Sequence, residues 1–254
     1  MIIASRTDIG RVRQVNEDSH WAVQLPSGIV AAVVADGMGG HLAGEVASRM
    51  TVDSLQASIS NAAAGMTDEE CEAMLQSAVK QANEVVYTTA SSNEQYSNMG
   101  TTVIITLVEG ERAVIAHVGD SRVYKANAEG LVQLTDDHTL VNELVKSGQI
   151  TPEEAAVHPR RNVIMRAVGT DPEVSADVSV YSFAPSDILL LCSDGLTDMV
   201  GHDLMLETLR TETLDLDGKA ERLVSLALHA GGDDNITVVL LQGDANRIEG
   251  SVEH

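Results

Sequence analysis

The sequence is poor in aromatic side chains and in positive charge. Aromatic residues make up 2% of the 254 residues, so a hydrophobic core has to be built from Val, Ile, Leu, Ala and Met. Lys and Arg number 16 against 38 Asp and Glu, which gives a formal net charge of −22. Such a surface repels nucleic acid backbones and anionic membranes, so we expect neither as a partner.

Long apolar runs and paired cysteines are also missing. No apolar segment approaches the roughly 20 residues needed to span a bilayer. Residues 1–6 lack the basic and apolar regions of a signal peptide. The two cysteines, Cys71 and Cys192, form no CxxC pair. Free thiols in a reducing cytoplasm are the simplest interpretation, and we expect a cytoplasmic protein.

Several hydrolase signatures are absent. Segment 39–44 has the GxxxxG spacing of a P-loop, but Glu45 and Val46 replace its Lys-Ser/Thr pair. No arginine stands six residues after either cysteine, which excludes a cysteine-nucleophile phosphatase, and no GxSxG serine hydrolase motif occurs. The histidines form neither HxxxH nor HExxH, so little supports a zinc enzyme.

Apolar periodicity predicts a mixed α and β chain. Strands are predicted over 29–35, 102–108, 112–118, 122–126, 131–134, 174–181, 188–192 and 236–241. Helices are predicted over 44–58, 68–90, 140–147, 200–211 and 219–230, with a further one starting at Pro152. Strands and helices do not alternate strictly, which argues against a doubly wound parallel sheet. The pattern predicts an α+β fold of antiparallel sheets covered by paired helices.

Local signals refine this pattern. Thr67 and Glu70 have the spacing of a capping box, and Thr151 precedes Pro152 as an N-cap. Segment 137–169 therefore predicts a small helical insertion between strands. No linker or repeat divides the chain, so 1–254 is expected to form one domain.

Four predicted strands have an aspartate beside a glycine at one end. The pairs are Asp36-Gly37, Gly119-Asp120, Asp194-Gly195 and Gly232-Asp233-Asp234. Asp-Gly is ordinary turn chemistry, so each pair alone predicts a turn. A cluster of these aspartates would suit Mg²⁺ or Mn²⁺ better than zinc or copper. Spacing leaves separate turns and one carboxylate cluster open as alternatives.

Six motifs around these aspartates occur in a fixed order. They are Arg13-Gln14-Val15-Asn16-Glu17-Asp18, Asp36-Gly37-Met38-Gly39-Gly40-His41, Gly100-Thr101-Thr102, His117-Val118-Gly119-Asp120-Ser121-Arg122, Ser193-Asp194-Gly195-Leu196 and Asp234-Asn235-Ile236-Thr237. In this order the chain resembles the metal-dependent protein phosphatase family PP2C, in its short bacterial form, from about 6 to 241. The resemblance implies a four-layer sandwich: two packed antiparallel β-sheets flanked by paired α-helices, with a mobile helical flap at about 137–169.

The resemblance also implies an activity. It predicts metal-dependent hydrolysis of phosphoserine and phosphothreonine in proteins, by direct attack of a hydroxide that bridges two Mn²⁺ or Mg²⁺ ions. Asp36 would bridge the ions, and Glu17 and Asp18 would act at the pair directly or through ordered water. A third ion would lie at Asp120 with Asp194. The metal ligands implied are Asp18, Asp36, Gly37, Asp120, Asp194 and Asp234.

The remaining site residues follow from the same motifs. Arg13 matches the residue that binds the substrate phosphate, so the predicted catalytic residues are Arg13, Asp36 and His41. Met38 departs from many eukaryotic members, which have a histidine there as the proposed general acid. That role is left open between His41 and a water on the third metal. Asp233 is expected to be a turn residue, Asn235 and Thr237 are expected only to order the loop, and no organic cofactor is expected.

Phosphorylated proteins are the expected partners, including a serine/threonine kinase of the same cell, and a monomer is expected. Three other functions compete with this interpretation. They are a pseudophosphatase that binds without turnover, a phosphoesterase acting on a small phosphorylated metabolite, and a plain metal-binding protein. The complete set of matched ligands argues against the first and the third.

Overall fold

A computed structural model describes residues 1–39 and 43–243. In chain order its strands are β1 (Ile2–Asp8), β2 (Asp18–Gln24), β3 (Val30–Met38), β4 (Gly100–Thr101), β5 (Val103–Glu109), β6 (Arg112–Val118), β7 (Arg122–Ala126), β8 (Leu131–Gln133), β9 (Asp177–Ser182), β10 (Ile188–Cys192) and β11 (Ile236–Gln242). The helices are α1 (Ala43–Ile59), α2 (Asp68–Ser92), α3 (Leu140–Lys146), α4 (Pro152–Ala156), α5 (Asp194–Thr197), α6 (His202–Arg210) and α7 (Leu216–Ala230).

The strands form two antiparallel sheets. One has the order β1-β11-β10-β7-β8, and the other has the order β2-β3-β5-β6-β9 with β4 paired to β3. All these pairings are antiparallel. The predicted α+β fold of antiparallel sheets is therefore confirmed.

Three apolar layers hold the sheets and helices together. Val34, Leu189 and Val239 belong to the layer between the two sheets. Because side chains alternate along each strand, the other strand residues point outward and pack against the helices. Leu55 of α1 belongs to one of these outer layers, and Leu223 of α7 belongs to the other. Burying one such leucine stabilises the fold by about 1.5–3 kcal/mol. The sandwich thus has helices on both outer faces.

Helix ends follow the predicted capping signals. Thr67 Oγ1 accepts the Glu70 N–H at 3.2 Å, and Glu70 Oε2 accepts the Thr67 N–H at 2.8 Å. Thr151 caps α4, and Pro152 lies in its first turn. Segment 137–169 contains α3 and α4, whereas its role as a flap stays a prediction. No helix among residues 1–39 and 43–243 combines the length and the apolar character needed to cross a membrane.

The structure departs from the predicted boundaries at several elements. Periodicity does not predict β1 or β2, because both are sheet-edge strands with mixed polar and apolar residues rather than apolar runs. The strand predicted to end at Ala35 continues through Met38. Strand β9 begins three residues later than predicted, and α7 begins three residues earlier because Asp215 caps it.

Candidate metal centre

The register of two strands brings the first two predicted carboxylates together. Asp18 opens β2, Asp36 lies near the end of β3, and the antiparallel ladder pairs them directly. Directly opposite residues point to the same face of a sheet, with Cβ atoms about 4.5–5.5 Å apart. Asp36 and Gly37 are therefore strand residues, and the alternative of an Asp-Gly turn is wrong at this position.

The other sheet contributes two more carboxylates at the same end of the sandwich. Strands β10 and β11 pair with Cys192 opposite Val238, so Asp194 follows one strand where Asp234 precedes the other. Asp194 also starts α5. Asp120 lies in the link from β6 to β7, which crosses between the sheets. The structure thus brings the predicted aspartates together as one cluster.

Burial and mutual repulsion raise the pKa values of this cluster. Burial raises the pKa of Asp18 to about 7, and Asp194 and Asp234 add to the shift. The pKa of Asp36 lies well above its ordinary value because of burial and then because of Asp18. Burial, followed by a neighbouring aspartate, raises the pKa of Asp120 to about 7 and that of Asp194 to about 6. Clustered, raised pKa values of this kind are typical of functional sites.

Three carboxylate oxygens in the cluster are buried without a hydrogen-bond partner among the described residues. They are Glu17 Oε1, Asp18 Oδ1 and Asp194 Oδ1. The second oxygen of Asp18 accepts the Ser193 hydroxyl at 2.7 Å, which holds that carboxylate in place. An unpaired buried polar group costs about 1–3 kcal/mol, and a charged one costs more. Hard oxygen donors in this state fit a divalent cation such as Mg²⁺ or Mn²⁺.

Two glycines allow Glu17 to approach this cluster. A Cβ on Gly44 would lie 2.5 Å from Glu17 Oε1, and one on Gly37 would lie 2.1 Å from the Gly44 carbonyl oxygen. Gly44 is in the first turn of α1, where backbone N–H groups favour a carboxylate. Burial raises the pKa of Glu17, and the nearby charge of Arg13 lowers it by less. Any larger residue at either position would displace Glu17.

The N-terminal loop carries Arg13 to the edge of the cluster. Arg13 Nη2 donates to Asp234 Oδ2 at 2.7 Å, and 48% of its side chain is exposed. Asn235 Oδ1 accepts the Glu17 N–H at 2.7 Å, and its Nδ2 donates to two carbonyls within segment 9–15 at 2.8 and 3.0 Å. Asn235 therefore does more than order its own loop, because it also fixes the loop that carries Arg13 and Glu17.

A second group of potential metal ligands lies behind Asp120. Ligand atoms of His117, His138 and Asp177 lie within 4.8 Å of one another. The two imidazoles are stacked, however, with centroids 4.6 Å apart and an interplanar angle of 24°. A metal lies in the plane of each imidazole that binds it, so two nearly parallel stacked rings cannot both face one ion.

Hydrogen bonds explain this second group instead. His138 Nδ1 accepts the Gly119 N–H at 3.1 Å, so the proton of the neutral ring is on Nε2, which donates to Asp177 at 3.2 Å. Burial lowers the pKa of His138 to about 4, which keeps the ring neutral. The group braces the residue that precedes Asp120, and the sequence motifs do not reveal it.

A cleft of about 670 Å³ opens beside the cluster. It extends from Asp120 and Asp194 to segment 137–169, where Asn142 and Arg161 line it. His41 lies outside the described residues, so its role stays a prediction. Both cysteines are free, as predicted, and both are buried.

Similar proteins are known. The family model described as protein phosphatase 2C matches residues 10–227. A serine/threonine phosphatase (stp) of Listeria monocytogenes serotype 4b is 42% identical over 239 residues, which is 94% of this chain and 94% of that protein.

Solved structures with the same fold include bacterial serine/threonine phosphatases. The serine/threonine phosphatase of S. agalactiae has a TM-score of 0.90 at 37% identity, over 96% of this chain and 99% of that chain. The catalytic domain of the serine/threonine protein phosphatase PstP, in complex with 2 manganese ions, has a TM-score of 0.82 at 38% identity. That match covers 94% of this chain and 96% of that chain.

Proposed function

This chain belongs to the protein phosphatase 2C family, and we propose that it removes phosphate from phosphoserine and phosphothreonine in proteins by direct hydrolysis at the carboxylate cluster. The observation that carries the proposal is the buried set of carboxylates with raised pKa values and unpaired oxygens. The serines beside the cluster, Ser193 and Ser121, are 0% and 2% exposed and their hydroxyls are hydrogen-bonded, and Cys192 is buried in β10, so none of the three is accessible as a nucleophile. Direct hydrolysis without a phosphoenzyme is therefore the favoured reaction.

The chain's carboxylates would hold two Mn²⁺ or Mg²⁺ ions and a third. Bound cations would lower the pKa of a water molecule and offset the charge of the phosphate. Asp36 is proposed to bind both core ions, with the Gly37 carbonyl and Glu17 beside them. Asp120 with Asp194 is proposed for the third. The proposed ligands are Asp18, Asp36, Gly37, Asp120, Asp194 and Asp234.

Arg13 is proposed to bind the substrate phosphate. Its planar guanidinium can donate two parallel hydrogen bonds to phosphate oxygens. The contact with Asp234 already places it at the edge of the cluster, and its exposure leaves it accessible to a substrate. With a net charge of −22, the surface repels phosphate, so Arg13 and the bound cations have to create the local attraction.

Replacing His41 tests directly whether it is the general acid that protonates the leaving oxygen. A phosphothreonine leaving group needs a proton, whereas p-nitrophenolate leaves without one. If His41 donates that proton, His41→Gln lowers kcat on a phosphothreonine peptide by about 10²-fold or more and leaves p-nitrophenyl phosphate hydrolysis nearly unchanged. Equal effects on both substrates would assign the proton to another donor, such as a water on the third ion.

The proposed partners are phosphorylated proteins, including a serine/threonine kinase of the same cell. We also propose that residues 1–254 act as one domain and as a monomer, with segment 137–169 as a flap. The free, buried thiols of Cys71 and Cys192 support a cytoplasmic location. Sedimentation at micromolar concentration tests the monomer, since a dimer would double the measured mass.

Hydrolysis of a phosphothreonine peptide with manganese, with magnesium and with chelator tests the proposed reaction. We expect turnover with metal and none with chelator. A folded protein that binds manganese but hydrolyses only a small sugar phosphate would support the metabolite phosphoesterase. One that hydrolyses neither substrate would support the pseudophosphatase.

A further inference from the structure

Thr102 holds the backbone of Asp36 at two points. Its N–H donates to the Asp36 carbonyl oxygen at 2.9 Å. Its Oγ1 accepts the Asp36 N–H at 3.1 Å. The named register of β3 and β5 ends at Val34 opposite Ile104, so this hydroxyl continues the pairing where the regular ladder stops. Thr102 is 1% exposed, which keeps water from replacing it.

The same hydroxyl reaches the loop that carries Asp120. Thr102 Oγ1 lies 2.7 Å from Ser121 Oγ, and Ser121 is 2% exposed. On the other side of Asp120, Gly119 has a φ of +106°, and a Cβ there would lie 2.7 Å from Thr102 Cβ. Both neighbours of Asp120 therefore rest on Thr102.

We propose that Thr102 is a positioning residue that sets the separation between Asp36 of the core metal site and Asp120 of the third site. The inference rests on the proposed function, which assigns both aspartates to metals. Thr102 acts through the Asp36 backbone and through Ser121 rather than by touching a metal. One hydroxyl thereby joins the end of β3 to the loop between β6 and β7, where the cations would bind.

Loss of this hydroxyl leaves buried groups without partners. In Thr102→Val the shape of the side chain is kept, but the Asp36 N–H and the Ser121 hydroxyl both lose a hydrogen bond. Partners that hold metal ligands in place typically change metal affinity by about 10–100-fold when they are removed. We expect Thr102→Val to weaken manganese binding by this factor. Ser121→Ala is expected to weaken the third ion alone.

Strand β5 offers a matched control. Thr106 is fully buried, and its hydroxyl has no hydrogen-bond partner among the described residues. Thr106→Val makes the same chemical change without breaking a hydrogen bond. Thr102→Ser keeps the hydroxyl and loses only the methyl group. The manganese affinity of both variants is expected to stay within about threefold of the wild-type value. That change is well below the one expected when a metal ligand loses its hydrogen-bond partner.

Manganese titration of the full chain, followed by electron paramagnetic resonance of the free ion, tests this inference, with a thermal melt of each variant. Manganese affinity in Thr102→Val equal to that in Thr106→Val would overturn it. Should Thr102→Val fail to fold, an unchanged third-site affinity in Ser121→Ala would overturn it. No substrate is used, so an unchanged protein that binds manganese but lacks turnover would defeat only the proposed function.

Discussion

Asp177 and Asp120 are joined by a short chain of contacts, but their pKa values shift in opposite directions. Asp177 accepts hydrogen bonds from Arg166 at 2.7 and 3.2 Å, and mainly for that reason its pKa falls to about 2. Asp120 is linked to Asp177 through His138 and Gly119, yet burial raises the pKa of Asp120 to about 7. The fold therefore supplies a hydrogen-bonded arginine to Asp177, whereas Asp120 has no such partner among the described residues, which fits the third cation proposed there.

Arg122 also pairs with a carboxylate outside the cluster. It lies two residues from Asp120, but its Nε and Nη2 bind Asp137 at 3.0 and 2.6 Å. The field of Arg122 lowers the pKa of Asp120 only slightly in comparison with the effect of burial. Arg122 is thus hydrogen-bonded to Asp137 rather than to the cluster, and the cluster keeps its raised pKa values.

The largest expected effect comes from removing the central carboxylate. Asp36→Asn should lower kcat by more than the roughly 10–100-fold typical of losing a partner of a metal ligand. The metal-free variant should unfold at the same or a higher temperature, because one buried repelling charge is gone. Peptide hydrolysis and a thermal melt measure both. Full activity would show that Asp36 is not needed for the reaction, and unfolding of the variant would show that its carboxylate stabilises the fold.

Variants of Arg13, at the edge of the cluster, test its proposed role in binding the substrate phosphate. Arg13→Ala should lower kcat/KM for a phosphothreonine peptide by about 10²-fold, as for loss of a donor to a developing charge. Arg13→Lys should recover part of this because it keeps the charge without the fork. Manganese affinity should not fall in either variant, since Asp234 loses a competing partner. Weaker manganese binding would instead make Arg13 a support for the ligands.

Manganese should stabilise the fold as well as activate it. At 100 times its dissociation constant an ion that binds only the native state adds about 2.7 kcal/mol, which raises the melting temperature of a protein of this size by roughly 5–10 °C. Asp177→Asn serves as a control, because its melting temperature should rise by the same amount. Differential scanning calorimetry measures the shift, and a Tm independent of manganese would contradict the assignment.

The two classes of carboxylate should also give opposite pH dependence. The raised pKa values of Asp18, Asp120 and Asp194, about 7, 7 and 6 against 3.8, mean that the native state binds more protons than the unfolded state. Without metal, stability should therefore fall as pH rises from about 4 to about 7. Saturating manganese should remove this decline. Urea unfolding at pH 5 and pH 7.5, with chelator or manganese, checks the sign.

The smallest effect is expected at Asp177. Its lowered pKa, about 2 against 3.8, contributes stability above pH 4 that is lost as pH falls towards 2. The side chain is 47% exposed, so Asp177→Asn should cost only about 0–1 kcal/mol. A larger loss of stability, or weaker manganese binding, would show that the brace behind Asp120 matters more than its exposure indicates.

The sequence predicts the elements that carry a strong local signal. Helix α2 is predicted with its capping box, and β10 is predicted from an uninterrupted apolar run. The edge strands β1 and β2 are not predicted, because their side chains are only partly buried and follow no clear period. Local chemistry also favours a turn at Asp36-Gly37, where tertiary pairing with β2 extends the strand instead.

The candidate site shows the same limit. Motif order identifies the aspartates, but the register that faces Asp18 towards Asp36 is a property of strand pairing. The hydroxyl link from Thr102 to Ser121 and the brace at His138 join residues about twenty positions apart. No local pattern predicts these contacts, because they exist only after the sheets pack.

The raised pKa values mean that the buried cluster holds protons until cations replace them. Calorimetric titration with manganese at pH 6.5 and at pH 8, in buffers of different ionisation enthalpy, counts the protons released on binding. We expect release of one or more protons at pH 6.5, fewer at pH 8, and less release in Asp36→Asn. Manganese binding without proton release at pH 6.5, or no binding at all, would contradict it.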